Sequence, residues 1–484
     1  MMNPALREAS RFRNPEQFRD DGRLVVEWVA NYLASAGSVA VQPDVAPGDT
    51  LARLPRSWPT EPGSIAELLG ELDRDIMPGM THWGDPSFFG YFPCTNSSAG
   101  MLADLLVSAT NVSTMKWSTS PAATELEQRV LRWLGDAIGL DDSWSGVITE
   151  GGSISTIIAL AAARDRATSG EARRRGISGT TLRMYTSDQV HSSVDKAIIT
   201  LGIGESNLVK LATDGAFSMR PEALRVAIAA DRAAGLAPAA VIATIGTTST
   251  TSVDPIAAIA TICREEGLWL HVDAAYGGNA ALLPELRAHF VGMELADSVV
   301  LDPHKWLMTP LELSCLYFRD HNEVRQSLSV TPAYLASHGE DAPTDFMDYS
   351  LQLGRSFRAL KLWVVMRHHG RAALEATIRH SCALAREFAG WVGEAADWEI
   401  PLAPPFATLC FRYAPPSLEL AAANEVNLGI QDAINRSGLA FVSRTILRGR
   451  LYLRVAIGHP DTSSDDLARL WAEIQRLVLA PRPQ

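Results

Sequence analysis

Short apolar runs alternate with alanine-rich, amphipathic stretches between about residue 95 and residue 369. The apolar runs are rich in Val, Ile and Leu, which is typical of strands buried on both faces of a sheet. They predict strands at residues 146–149, 182–185, 208–211, 240–245, 267–272, 298–301 and 314–318. Strands that alternate with helices in this way predict a large three-layer α/β domain.

The two flanks of this region have different patterns. Residues 1–95 predict helices at 20–36 and 64–76, separated by a proline-rich stretch at 43–62. Such a segment buries little core by itself, so we expect it to pack on another surface, such as a second subunit. Residues 370–484 mix helices with predicted strands at 408–412 and 450–456, which indicates a smaller α+β domain. The expected divisions are therefore 1–95, 96–369 and 370–484.

Composition narrows the class of protein. The 484 residues are 47% hydrophobic, and 43 basic against 55 acidic side chains give a net charge of −12, which argues against a nucleic-acid surface. The start of the chain is polar, and no apolar run reaches the length of about 18 residues that a membrane span needs, so we expect a cytoplasmic protein. Five widely spaced cysteines predict reduced thiols and neither a disulfide framework nor a metal site.

The strongest chemical signal is a lysine placed after one predicted strand and an aspartate placed after its neighbour. Lys305, one of only five lysines, follows the strand at 298–301, and Asp273 follows the strand at 267–272. The carboxyl ends of parallel strands meet at one edge of a sheet, so the two side chains should converge. A lysine that can form a Schiff base and a carboxylate that keeps a pyridine nitrogen protonated are what pyridoxal 5'-phosphate (PLP) requires. The pair predicts a PLP enzyme that acts on an amino acid.

Three further loops follow predicted strands and could contact this cofactor. Gly151, Gly152 and Ser153 precede a predicted helix at 154–167, where glycines allow a phosphate to approach free N–H groups. His191 and two serines precede a predicted helix at 194–201; the serines could simply cap that helix, while the imidazole could stack on the pyridine ring. The Gly-Thr-Thr loop at 246–248 ends the strand at 240–245. Each signal alone is also compatible with an ordinary turn.

Several motifs occur in an order that resembles the group II PLP-dependent decarboxylases, and among them most closely the aromatic-L-amino-acid (DOPA, tryptophan) decarboxylases. The resemblance extends from about residue 14 to the end of the chain. It implies a type I fold like that of aspartate aminotransferase, and a homodimer with active sites at the subunit interface. The motifs are Trp83, Tyr91-Phe92-Pro93, residues 120–127, His191-Ser192-Ser193, Gly246-Thr247-Thr248, residues 271–276, His304-Lys305-Trp306, Gly354-Arg355 and residues 358–363.

The same resemblance implies roles for individual residues. Lys305 would form the Schiff base, Asp273 would face the pyridine nitrogen, and His191 would stack on the ring. Gly152, Ser153 and His304 would surround the phosphate, and Thr248 and Ala275 would line the ring. The expected substrate contacts are Trp83, Tyr91, Phe92, Pro93, Cys94, where the family has a threonine, and Met115 from the partner subunit.

The expected reaction is decarboxylation of an aromatic L-amino acid to its amine and CO2, but one position departs from the pattern. Counting back from Gly354, Phe346 occupies the place of a loop tyrosine that protonates the product in animal relatives, and phenylalanine cannot donate a proton. In resembling aldehyde synthases such a replacement accompanies oxidative deamination to an aldehyde, ammonia and peroxide. Tyr349, His191 or water could instead supply the proton and preserve amine formation.

Two other classes remain open from the sequence. A transaminase shares the lysine and aspartate but usually needs an arginine for the α-carboxylate, and Arg412, Arg444 and Arg454 are candidates; such an arginine would count against decarboxylation. A binding protein without activity is the other class, and the presence of Lys305, Asp273 and His191 disfavours it.

Overall fold

The computed structural model describes residues 13–94, 96–177, 179–330 and 343–479. The polar start at 1–12, used above to argue for the location of the protein, lies outside the described residues. A seven-stranded sheet forms the centre of the large domain, in the spatial order β2-β8-β7-β6-β5-β3-β4. All strand pairs are parallel except the two that involve β8. The strands are β2 Ser145–Thr149, β3 Leu182–Ser187, β4 Leu208–Leu211, β5 Ala237–Thr244, β6 Trp269–Asp273, β7 Ser298–Leu301 and β8 Ser314–Phe318.

All seven strands predicted for this region are present, and helices cover both faces of the sheet, which confirms the three-layer α/β architecture. The contacts of α6 run along β5, β6, β7 and β8, so this apolar helix is the main cover of one face. The helices before and within the domain are α1 Pro15–Ala34, α2 Asp49–Arg53, α3 Ile65–Glu71, α4 Ser98–Thr110, α5 Pro121–Ile138, α6 Gly152–Ala167, α7 Glu171–Arg175, α8 Ser192–Thr200, α9 Pro221–Ala233, α10 Ile256–Glu266, α11 Pro303–Trp306 and α12 His321–Leu328.

A second sheet of five strands forms the smaller C-terminal unit, in the order β1-β11-β12-β10-β9. Its strands are β1 Phe88–Phe89, β9 Trp398–Glu399, β10 Thr408–Tyr413, β11 Phe441–Leu447 and β12 Arg450–Ala456, and its helices are α13 Ala359–Glu394, α14 Leu420–Ser437 and α15 Ser464–Leu479. The predicted strands β10 and β12 are confirmed, but the purely helical description of residues 1–95 is wrong. β1 pairs in parallel with β11 and fixes the N-terminal segment to the small sheet.

Helix α13 bridges the two units and changes direction at Gly370. This residue has φ 72° and ψ 162°, whereas the residues on either side of it continue as helix. Only glycine adopts this backbone conformation without steric cost, so Gly370 joins two helical segments at the expected division between residues 369 and 370.

The N-terminal helix α1 has no buried residue although it contains Leu24, Val25 and Val26. It begins at Pro15, earlier than expected, because the side chain of Asn14 accepts hydrogen bonds from the backbone N–H groups of Glu16 and Gln17. An amphipathic helix with an exposed apolar face agrees with the expectation that this segment packs on another surface.

Candidate active site

The carboxyl ends of β6 and β7 bring the predicted lysine and aspartate together. Asp273 is the last residue of β6, and its Oδ1 accepts a hydrogen bond from the backbone N–H of Ala275 at 3.1 Å. β7 leads through Asp302 into the short helix α11, which carries His304 and Lys305. These residues line a common cavity of about 530 Å³. The convergence expected from the order of the strands is therefore present.

Of the predicted site residues, twelve line this cavity, and they come from the N-terminal segment, from three helix starts and from the ends of the central strands. They are Trp83, Tyr91, Phe92, Cys94, Gly152, Ser153, His191, Thr248, Asp273, Ala275, His304 and Lys305. Sequence elements that are far apart in the chain thus form one site.

Lys305 is held by a carboxylate that the sequence did not single out. Its Nζ lies 2.9 Å from Oδ2 of Asp302, which is fully buried. Burial lowers the pKa of the Lys305 amine, but the charges of Asp302 and Asp273 more than offset this, and the pKa ends above its ordinary value. Burial likewise raises the pKa of Asp302, but the charge of Lys305 and a hydrogen bond with Ser314 outweigh this, and the pKa ends below its ordinary value. Lys305 and Asp302 therefore form an ion pair at neutral pH.

His304 lies beside this pair. Its Nδ1 lies 2.6 Å from the carbonyl oxygen of Leu313, and its Nε2 lies 3.7 Å from Oδ2 of Asp302. The backbone nitrogen of Leu313 lies 3.1 Å from the same Nδ1, but we assign the ring proton to Nδ1 because the contact to the carbonyl oxygen is shorter and that oxygen can only accept. Burial lowers the pKa of His304, so the ring is neutral at neutral pH.

His191 is the N-cap residue of α8, and its side chain lines the same cavity as Lys305. Its Nδ1 accepts a hydrogen bond from the backbone N–H of Ser193 at 3.2 Å, which places the proton of the neutral ring on Nε2. Burial lowers the pKa of His191 as well. A neutral, flat imidazole with an Nε2 proton is thus available both to stack on a ring and to donate a hydrogen bond.

Gly152 and Ser153, at the start of α6, lie beside the ion pair of Lys305 and Asp302, and we call this helix start the phosphate cradle. A Cβ added to Gly152 would lie 3.0 Å from Oδ2 of Asp302 and 3.6 Å from the Cβ of Ala275. The side chain of Ser153 is exposed to the cavity. Free N–H groups at a helix start are well suited to a phosphate, and the missing side chain at 152 leaves room for one.

Aromatic side chains form the outer wall of the cavity. Trp83 and Tyr91 stack with ring centroids 5.6 Å apart and planes 10° apart, and both remain substantially exposed. Phe92 stacks at 3.9 Å on Tyr276, which in turn stacks at 4.8 Å on Trp306. This column runs from the cavity into the core and fixes the wall.

Arg454, one of three arginines considered for a transaminase, also reaches the cavity. Its guanidinium lies 4.6 Å from the centroid of Phe92 and donates to the backbone carbonyl oxygens of Ser249 and Tyr91. Among the described residues, its Nη2 has no hydrogen-bond partner. Burial lowers its pKa. Arg454 can therefore offer one buried N–H group to a polar ligand.

Four predicted site residues do not line the cavity. Pro93 packs against Gly458, and Met115 accepts a backbone hydrogen bond from Met347. Phe346 is 2% exposed, with the Arg355 guanidinium 4.8 Å from its ring centroid.

Tyr349 is also buried and stacks on Phe318 at 5.7 Å. Phe346 and Tyr349 line a separate cavity of about 350 Å³ that also includes Trp144 and Gly146, near the start of β2. Within one subunit, neither side chain lines the Lys305 cavity.

Other residues that line the cavity were missed. Ser443 and Thr445 belong to β11, a strand that was not predicted, and Glu150 immediately precedes the cradle. Asp302 directly follows the predicted strand at 298–301 and stands three residues before Lys305, and this position was the available signal.

The side chains present fit PLP. The cavity contains an amine for the aldehyde, a buried carboxylate for the ring nitrogen, a flat neutral imidazole for the ring face and a helix start for the phosphate. Residues 47–414 match the family model described as the pyridoxal-dependent decarboxylase conserved domain. The chain belongs to the pyridoxal-dependent decarboxylases.

Relatives of known activity cover nearly the whole chain of this decarboxylase. It is 38% identical over 473 residues to a phenylacetaldehyde synthase of Arabidopsis thaliana, with 95% of each chain covered. It is 37% identical to an aromatic-L-amino-acid decarboxylase of Cavia porcellus, with 96% of this chain and 98% of the relative covered. The crystal structure of Oryza sativa TDC with PLP and tryptamine superposes with a TM-score of 0.92 at 36% identity and covers 99% of both chains.

These similarities confirm the family, the type I fold and the PLP-dependent amino-acid decarboxylase class expected from the sequence. All five cysteines are free. Within the described residues, no cluster of three or more His, Cys, Asp or Glu side chains is arranged to hold a metal ion. No helix in that same part of the chain combines the length and the apolar character needed to cross a membrane.

Proposed function

We propose that this decarboxylase removes the α-carboxylate of an aromatic L-amino acid as CO2 and releases the amine. The observation that carries the proposal is the exposed, stacked pair of Trp83 and Tyr91 in the same cavity as Lys305. Flat apolar walls favour a flat side chain. The names of the relatives agree, since they include aromatic-L-amino-acid, tryptophan and tyrosine decarboxylases.

Different side chains of the cavity have different roles in the proposed reaction. When bound, PLP supplies an aldehyde for the Lys305 amine and a protonated ring that accepts the electron pair released with CO2. Asp273 keeps the proton on the ring nitrogen, because a buried carboxylate favours a neighbouring cation. His191 covers one face of the ring, and the column of Phe92, Tyr276 and Trp306 keeps water from the side of the core.

A proton must then reach the Cα atom of the substrate. In the cavity, Nε2 of His191 and the amine of Lys305 are both placed to supply one. This makes His191 the favoured donor among the candidates weighed from the sequence, ahead of Tyr349, which is buried elsewhere.

Aldehyde formation is the second candidate function, and one observation favours it. Two of the most similar relatives, from Arabidopsis thaliana and a Rosa hybrid cultivar, are phenylacetaldehyde synthases. The replacement of a loop tyrosine by Phe346, which the sequence predicts to favour this alternative, stays a prediction, because within one subunit its ring lies against Arg355 and outside the Lys305 cavity.

A transaminase is disfavoured by the family to which the chain belongs. Arg412 is buried away from the cavity, with Nε 3.7 Å from Glu399. Arg444 lines the cavity, but its guanidinium donates to Gln431 at 2.9 Å. Arg454 does line the cavity, so an arginine there does not exclude decarboxylation. We assign Arg454 to orienting the substrate rather than to retaining its carboxylate.

The protein is proposed to act as a homodimer in the cytoplasm, with active sites shared between subunits and Met115 reaching the partner's site. The fully unburied helix α1 and the exposed Trp58 and Leu51 support a large apolar interface. The five free cysteines agree with a reducing compartment.

The test is turnover by the purified, PLP-loaded enzyme of DOPA, tyrosine, tryptophan, phenylalanine and 5-hydroxytryptophan, with and without oxygen. Amine, aldehyde and hydrogen peroxide are measured together. We expect amine as the main product, unaffected by oxygen. Aldehyde with an equal amount of peroxide would replace the first function by the second, and no turnover of all five would place the substrate outside the aromatic class.

A further inference from the structure

Asp302 has no role in the proposed reaction, yet its carboxylate is buried beside Lys305. It is 1% exposed, its Oδ2 lies 2.9 Å from Nζ of Lys305, and its Oδ1 has no hydrogen-bond partner among the described residues. Although it is the N-cap residue of α11, its side chain makes no capping bond. The charge of this buried carboxylate is therefore maintained chiefly by Lys305, with a smaller contribution from a hydrogen bond with Ser314.

The same carboxylate faces the phosphate cradle. Its Oδ2 lies 3.0 Å from the position that a Cβ of Gly152 would occupy, at the first residue of α6. A phosphate monoester carries a charge of about −1.5 to −2 at neutral pH. A phosphate on the free N–H groups of α6 would thus stand next to a second anion in a buried place.

Covalent attachment of the cofactor would also weaken the ion pair that compensates the charge of Asp302. The Lys305 nitrogen forms a C=N bond with the aldehyde carbon, and the aldehyde oxygen leaves as water with two protons from the ammonium group. The remaining proton stays on the C=N nitrogen, so the chemistry is balanced without any change at Asp302. However, the cation that stood 2.9 Å from Oδ2 is then drawn onto the cofactor.

No cation other than Lys305 is paired with Asp302: Arg454 and Arg444 line the same cavity, but Arg454 donates to the carbonyl oxygens of Ser249 and Tyr91, and Arg444 donates to Gln431. His304 on α11 and His191 on α8 are neutral, as shown by their buried rings and lowered pKa values. Burial raises the pKa of Cys94 in the N-terminal segment and of Cys315 on β8, so both thiols remain uncharged. Asp273 on β6 and Glu150 before α6 add negative charge to the same cavity. Arg358, which lies 3.3 Å from Glu150, is shared with Glu312.

We propose that Asp302 takes up a proton from solvent when PLP binds, and changes from the counter-ion of Lys305 into a hydrogen-bond donor to the cofactor phosphate. Asp302 is thus a positioning residue that couples cofactor uptake to pH. The inference concerns cofactor binding and holds whether the product is an amine or an aldehyde.

The sign of the pH dependence follows from linkage. Without cofactor the pKa of Asp302 is lowered chiefly by the charge of Lys305, although burial opposes this. A phosphate next to Asp302 would raise the pKa of this carboxyl group, because a neighbouring negative charge disfavours its ionised form. Between the two pKa values the complex holds one more proton than the free protein, so Kd for PLP rises about tenfold for each pH unit.

The experiment measures Kd for PLP by equilibrium dialysis of the full-length protein, freed of cofactor, between pH 6.5 and 9. Wild type is compared with Asp302→Asn, which keeps the shape and removes the charge. We expect Asp302→Asn to bind PLP about tenfold more tightly at pH 7.5, with an advantage that grows with pH. A ratio of the two Kd values that is independent of pH, or weaker binding by the variant, overturns the proposal.

Glu312→Gln is the matched control, because Glu312 lines the same cavity but is half exposed and screened by water. It should change Kd less than about threefold without altering the pH slope. Proton uptake by wild type, measured calorimetrically in two buffers of different ionisation enthalpy, needs no variant to fold. About one proton per PLP at pH 7.5 supports the proposal, and none contradicts it. Loss of the uptake in His304→Gln but not in Asp302→Asn would assign the proton to His304 and also overturn it.

Discussion

At the scale of single residues, the cavity is arranged around neutral imidazoles and one ion pair. His191 accepts a hydrogen bond on Nδ1, and burial lowers its pKa, so its Nε2 proton is present without a positive charge. A neutral ring avoids adding a second cation beside a protonated cofactor ring. The same imidazole can therefore both cover the ring and hold the proton that the substrate receives.

This arrangement predicts the acid side of the pH profile. Because the pKa of His191 is lowered by burial from about 6.5, the ring stays neutral as the pH falls through that value. We expect kcat/KM for amine formation to change less than about twofold between pH 8 and pH 6.5, and to fall only at lower pH. His191→Asn should lower kcat about 100-fold or more, as expected for loss of a positioned proton donor. A decline centred above pH 6.5 that disappears in His191→Asn would contradict the neutral assignment.

Phe346 leads to a second prediction at this scale. Its ring is enclosed against Arg355, which forms a buried ion pair with Glu127 at 2.6 Å. A hydroxyl added by Phe346→Tyr would be buried without a clear partner and should cost about 1–3 kcal/mol of stability. The ratio of amine to aldehyde should not change.

The measurement is thermal unfolding together with product analysis with and without oxygen. Tyr349→Phe is the companion variant, because Tyr349 was the other tyrosine considered as the donor and is buried beside Phe318. Its product ratio should also equal that of wild type. A shift toward amine in Phe346→Tyr would show that this residue reaches the reacting atoms in a state other than the one described.

At the scale of elements, the sequence predicted the strands that consist of regular hydrophobic runs and missed the strands that do not. The seven strands of the large sheet are short and buried on both faces, and their order placed Asp273 and Lys305 at one edge. The two-residue strand β1 is too short to leave a pattern, and burial along β11 does not alternate, since Val442 and Ser443 are both buried whereas Arg444 is exposed. Both were missed for that reason.

The parts of the site that the sequence left undetermined have the same origin. Counting along the chain placed Phe346 at a loop position, but the segment folds back as a buried 3₁₀ turn, and spacing alone cannot distinguish the two. Asp302 was read only as part of a motif because its contacts with Lys305 and Gly152 exist only in three dimensions. Contacts between distant elements are what the sequence left open.

Helix α13 offers a test of local backbone structure within one element. Gly370 and Gly390 both face open space, but Gly370 has φ 72° whereas Gly390 lies in regular helix. Gly370→Ala should therefore destabilise the protein by about 1–2 kcal/mol, because an L side chain is strained in the left-handed region. Gly390→Ala should instead stabilise it by about 0.5–1 kcal/mol. The free energy of unfolding of both variants is measured by denaturant titration. Destabilisation of equal size in both would show that the kink at Gly370 is not maintained in solution.

At the scale of the whole molecule, the exposed apolar surface is concentrated where a second subunit is proposed. Trp58 is 94% exposed, and no residue of α1 is fully buried. On α4, Leu102, Leu105 and Leu106 are all exposed, and their spacing of three and four residues puts them on one face of the helix. Monomeric proteins rarely leave so much contiguous apolar surface in water.

The last prediction tests that interface directly. Light scattering after gel filtration should give twice the mass of one chain for wild type, and Leu106→Asp should shift the protein toward the monomer because a charge would be buried without a partner. Val226→Asp on α9 is the matched control, since Val226 is also exposed but lies outside this apolar face. If the active sites are shared, Leu106→Asp should lose activity in parallel with dissociation although every residue around Lys305 is unchanged. A monomeric variant with full activity would separate the interface from catalysis, whereas a wild-type monomer would refute the dimer itself.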